Sequence, residues 1–133
     1  MGWNWDLILA ILLYAEKRHN SNDTEAYALQ ITDLPPKFHD IPVAGLKKHL
    51  DLLVEQGLVA AVPIPPTYAI GGLAMHVGHF LDHAKIPAVW DATKKIAGNK
   101  SFEEFRSTLH QLAGAYEGGK LADVERRLLS GDG

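Results

Sequence analysis

His76, His79 and His83 lie three and four residues apart, a spacing that puts three imidazoles on one broad face of a helix and offers them to a divalent metal. A metal centre needs three or four converging ligands with a second layer of groups to orient them. No cysteine or matched carboxylate set is spaced to complete this one, although Asp82 is close. The expectation is therefore no metal and no cofactor, with His79 hydrogen-bonded in the interior and His83 exposed. Ser101 is followed three residues later by Glu104, the signature of a capping box. Its hydroxyl is accounted for at a helix start, and no base is evident that would make it a nucleophile. Neither a phosphate loop nor a nucleophile elbow accompanies the scattered acids. No catalytic residue is assigned, and an enzyme is not expected.

Two binding chemistries remain. Lys47, Lys48 and His49 are expected on the exposed first turns of a helix, with Arg126 and Arg127 as further phosphate donors, which would suit DNA. Against this, Asp51 and Glu55 lie at helical spacing from the lysines, and from Gln56 to Leu81 there is no Lys, Arg, Asp or Glu. The formal net charge of −3 leaves any phosphate site local. The second chemistry is apolar: Trp3, Ile64, Pro65 and Tyr68 would anchor a protein partner, because aliphatic and aromatic residues at a solvent-facing tip are good anchors.

The elements that must carry these residues are legible from periodicity. Ile8, Ile11, Leu12 and Ala15 define a helix over residues 4–18, nearly apolar all round. Tyr27, Leu29 and Ile31 alternate as in a short strand, and Pro35-Pro36 is expected to forbid regular structure. Residues 42–56 form the clearest helix, with Pro42 in the first turn, a Leu46, Leu50, Leu53, Val54 stripe and Gly57 as terminator. Residues 58–62 and 67–70 read as a hairpin joined by Pro63-Ile-Pro-Pro66, the second strand ending at Gly71-Gly72. Helices are expected over 75–84, from Pro87 to Gly98 with Val89, Trp90, Thr93 and Ile96 inward, and from Ser101 to Gly118. In the last of these Phe102, Phe105, Leu109, Leu112 and Tyr116 form an apolar stripe. A weaker helix around Leu121, Val124 and Leu128 precedes a frayed tail.

A chain of 133 residues without cysteine fits one domain in a reducing compartment, stabilised by packing alone. The apolar run Leu7–Ala15 lacks the flanks of a secretory signal and falls short of the roughly 20 residues that span a bilayer. A cytoplasmic protein with no membrane association is expected.

Helix, short strand, helix, hairpin, helix is the element order of a winged helix-turn-helix. The segments Trp5-Asp-Leu-Ile-Leu9, Leu50-Asp-Leu-Leu-Val-Glu-Gln-Gly-Leu58, Gly78-His-Phe-Leu-Asp82 and Ala88-Val-Trp-Asp91 resemble the domain-of-unknown-function family 2513. Its members are small winged-helix-like proteins frequent in phages and prophages. The resemblance runs from about Trp5 to Ile96 and implies a fold and a mobile-element origin; it carries over no catalytic residue. The reading is thus a mainly α protein with a small β-hairpin: a winged helix-turn-helix core over residues 1–98, and a C-terminal helical extension over 99–133 packed on it as one structural unit. Its expected role is that of a non-catalytic protein-binding module, acting on host or defence machinery and self-associating as a homodimer through the hairpin tip or the C-terminal helix. The alternative is a DNA-binding transcriptional regulator using helix 42–56.

Overall fold

The computed structural model describes residues 3–19, 27–74 and 77–130. Among these the chain is mainly helical, with one two-stranded antiparallel sheet. It divides into two compact units, one of Asp6–Gly78 and one that joins Met1–Trp5 to His79–Gly133.

In the first unit, helix α1 (Trp5–His19) buries Leu7, Ile8, Ile11, Leu12 and Ala15 completely, as its all-round apolar character requires. The strand expected over residues 27–32 does not form. Residues 27–29 take no regular structure and Gln30 is extended, but Ile31–Asp33 winds into a 3-10 turn. Asp33 drives the change by offering the backbone a local partner: its carboxylate accepts from the Gln30 N–H at 2.9 Å, and its own N–H donates to the Gln30 carbonyl at 2.9 Å. What survives of strand pairing is concentrated at Leu29. Its N–H donates to the Tyr68 carbonyl at 2.8 Å, and its carbonyl accepts from the Thr67 hydroxyl at 2.7 Å. Pro35-Pro36 does not forbid regular structure either. Pro36 opens a second 3-10 turn (Pro36–Phe38), where its missing N–H costs nothing, and Phe38 is buried.

Helix α2 (Val43–Glu55) has Pro42 just outside it as the N-cap residue, one position earlier than expected. Leu46, Leu50 and Leu53 are fully buried. The helix ends where Gly57 takes φ +67°. There the Gly57 N–H reaches the Val54 carbonyl and the Leu58 N–H reaches the Leu53 carbonyl, the paired bonds of a Schellman cap. Leu58 is buried beneath the cap.

Strand β1 (Val59–Ile64) then pairs with β2 (Thr67–Leu73), Val59 opposite Leu73 and Ile64 opposite Thr67. Both strands outrun the expectation. Pro63 and Ile64 belong to β1 rather than to the connection, and β2 continues through Gly71-Gly72 to Leu73, because a glycine weakens a strand without forbidding it. The connection itself is Pro65-Pro66, with a cis peptide bond between them. The register shifts between Ala60 and Ala61, where Gly71 is the extra residue on β2.

The second unit contains helices α4 (Pro87–Ala97), α5 (Phe102–Glu117) and α6 (Leu121–Leu129), together with His79–Ala84 of helix α3 (Val77–Ala84) and Trp5. Its centre is aromatic. The Trp5 indole lies flat on Phe105, centroids 3.7 Å apart and planes within 6°. Trp90 meets Phe105 edge-on at 5.3 Å, and Phe80 lies 5.8 Å from Phe102. The Trp5 Nε1–H donates to the Gly98 carbonyl at 2.7 Å, which satisfies the one polar atom of the indole. Phe102, Phe105, Leu109 and Leu112 are all buried, so the α5 stripe covers a surface of its own chain. Tyr116 departs from the expected stripe and is exposed. α5 starts as expected, with the Ser101 hydroxyl accepting from the Glu104 N–H at 3.2 Å. It stops at a second Schellman cap around Gly119, φ +73°. α6 is held more loosely: none of its residues is fully buried, and Glu125 pairs with Lys95 of α4 at 3.0 Å.

Trp5→Phe keeps the stacking ring and deletes the N–H. Urea unfolding is expected to show a loss of about 2–4 kcal/mol, about 1 from the bond to Gly98 and the rest from the smaller buried ring, and Ser101→Ala a loss of about 1 kcal/mol for the removed cap.

Candidate interaction surface

The hairpin is two strands with different surroundings. β2 is the inner strand, with Thr67, Ala69 and Ile70 buried. β1 is the outer one, with Val62 and Pro63 exposed in succession, Val62 at 62%. Pro65 and Pro66 extend the exposed apolar strip around the turn, and Ile64 is half-buried within it. Every residue of this strip is uncharged.

Tyr68 is placed differently from the rest of the hairpin. Its hydroxyl donates to Asp51 of α2, and Lys47 reaches the same carboxylate at 3.0 Å while sitting 5.8 Å from the Tyr68 ring centroid. This three-residue cluster ties the hairpin to the exposed face of α2. The Tyr68 hydrogen bond, assisted by Lys47, holds the Asp51 carboxyl below the usual carboxylate range against the opposing effect of partial burial. The same bond pushes the Tyr68 hydroxyl up. Tyr68 is thus half-buried and engaged, while Ile64 and Pro65 share the outer strip.

The basic residues of α2 divide in the same way. Lys47 is exposed but ion-paired with Asp51, the helical spacing already visible in the sequence. Lys48 is half-buried. His49 corrects the expectation of an exposed side chain: it is 8% exposed, and its Nδ1 lies 2.8 Å from the Gly45 carbonyl. A carbonyl only accepts, so Nδ1 carries the hydrogen. Burial is the main cause that lowers the affinity of this ring for a second proton. Trp3, half-buried, and Arg126 and Arg127, both exposed, belong to the other compact unit; Arg126 pairs with Asp123 at 2.6 Å.

Of the histidine motif, His76 lies outside the described residues. The other two reverse their expected roles. His79 is exposed, whereas His83 is half-buried and turns a buried Nδ1 inward that has no hydrogen-bond partner. His83 instead meets the ring of His110 on α5, a residue that no spacing in the sequence singles out because it sits one position off the Leu109 stripe. Among the described residues no group of three or more His, Asp or Glu is placed to hold a metal ion. Nor is any described helix long and apolar enough to cross a membrane.

The Asp51 cluster can be tested by its titration. A carboxyl carbon NMR titration is expected to place Asp51 below an ordinary aspartate, and Tyr68→Phe to move it upward. Because the folded-state value is lowered, the stabilisation is present above the ordinary value and lost as pH falls through the lowered one. Acid unfolding of Tyr68→Phe should accordingly be less steep in that window. Compared with known proteins, this chain matches no family model, no curated protein and no solved structure.

Proposed function

We propose that the chain is a non-catalytic binding module that engages a protein partner, and a second copy of itself, through the outer strip of the hairpin. The observation that carries the reading is the exposure of Val62, Pro63, Pro65 and Pro66 on a hairpin that lies within a charge-free stretch from Gln56 to Leu81. Rigid apolar residues lose little side-chain entropy on being covered, which suits them to anchor a contact. Ile64 contributes from within the strip, while Tyr68, held by Asp51, fixes the strip relative to α2.

A winged-helix arrangement of residues 6–78 fits this reading. α2 would be the helix before the wing and β1–β2 the wing, with Leu29 standing for the third strand through its pairing with Tyr68. The two 3-10 turns, Ile31–Asp33 and Pro36–Phe38, would take the place of the first helix of the helix-turn-helix. The resemblance to the phage and prophage family supports the same arrangement and a role in which the module acts on host or defence machinery.

DNA binding through α2 is the weaker reading. Lys47 already faces Asp51, His49 is buried against Gly45, and the hairpin offers no cation to a phosphate. Light scattering and sedimentation are expected to show a concentration-dependent dimer that Val62→Asp combined with Ile64→Asp makes monomeric. Fluorescence anisotropy with a random DNA duplex is expected to show no salt-sensitive binding at low ionic strength. Salt-sensitive binding that is abolished by Lys47→Glu with Lys48→Glu, and kept by the hairpin variant, would replace this proposal with the DNA reading.

A further inference from the structure

The hairpin leaves one cluster of titratable groups in the other compact unit unused. His83 of α3 and His110 of α5 pack ring against ring, centroids 4.7 Å apart and planes at 85°. The Nδ1 of His83 is buried and has no hydrogen-bond partner. We propose that this pair is a proton-operated latch between α3 and α5: the neutral rings pack edge to face, and uptake of a proton by His110 loosens α3 from α5.

The surroundings explain why a proton is disruptive here. The charges that act on His110 come from His83 and His79 of α3 and from Arg106 of its own helix, and all three are positive when protonated. Asp82, the one carboxylate of α3, is exposed. The acids of the neighbouring helices are engaged elsewhere, Asp91 with Lys94 in α4, Glu125 with Lys95 between α6 and α4, and Asp123 with Arg126 in α6. An imidazolium at this contact therefore meets like charge and a partly dehydrated site, both of which favour the neutral ring. Desolvation first, then these neighbours, lowers the proton affinity of His110 from its ordinary value. A base whose folded-state value is lowered leaves stability intact above the ordinary histidine value and removes it as pH falls from there through the lowered one. The latch thus works on the acid side of neutrality, the range histidines serve as switches.

The test uses the full chain and two variants at exposed His110. His110→Phe keeps a ring against His83 without a titratable nitrogen, and His110→Gln removes the ring. Melting temperatures are measured at pH 7.5 and pH 5.5, beside an NMR titration of the imidazole protons. The melting temperature of the wild type is expected to fall further on acidification than that of His110→Phe, because only the wild type carries the ring whose proton affinity is lowered. His110→Gln is expected to show the same smaller drop as His110→Phe, since it too lacks the titrating ring. Equal drops in wild type and His110→Phe, or a wild type that gains stability in acid as a proton shared between the rings would give, overturn the latch.

Discussion

Trp5 and Phe105 lie face to face from opposite ends of the chain, and the second compact unit is built around that contact. A flat stack of two large rings removes much apolar surface from water at once, and the edge-on approach of Trp90 completes it in the geometry that aromatic quadrupoles favour. The polar atom of the indole is provided for by the Gly98 carbonyl, at the point where α4 ends. The apolar stripe of α5 is consumed by this arrangement and serves the interior of its own chain.

The first unit is organised by a division of labour between its two strands. β2 is buried and tied on its inner side to Leu29, while β1 faces outward with Val62 and Pro63. Tyr68 links the two halves of that arrangement: its backbone meets Leu29, and its hydroxyl meets Asp51. The lysines that would have met phosphate are drawn into the same region, since Lys47 spends its charge on Asp51.

Helices were readable wherever local signals agree. Gly57, Ser101 and Gly119 mark ends through capping geometry that depends on a few adjacent residues, and each stands where its residue type requires. Strand and site features were less so, because they depend on partners distant in sequence. The alternation of Tyr27, Leu29 and Ile31 is genuine, yet Asp33 captures the backbone before a ladder can extend beyond Leu29. His49 stands one residue after two lysines and looks exposed by association, but α2 turns it inward against Gly45. His83 and His110 are separated by the whole of α4 and the two connections that flank it, and no one-dimensional pattern brings them together.

Pro63 has a consequence for the behaviour of the chain at high concentration. Tyr68 directs its carbonyl away from β1 toward Leu29. In an antiparallel ladder the opposed residue directs its backbone the other way, so Pro63, paired with Tyr68, presents its nitrogen to the free edge of β1. A nitrogen without hydrogen cannot donate to another strand, and the bulge at Gly71 of β2, opposite Ala60 and Ala61, adds local twist to the hairpin. The apolar strip is therefore open to side-chain contact while the backbone beneath it resists ribbon growth. Such a surface can be sticky to a partner without nucleating fibrils.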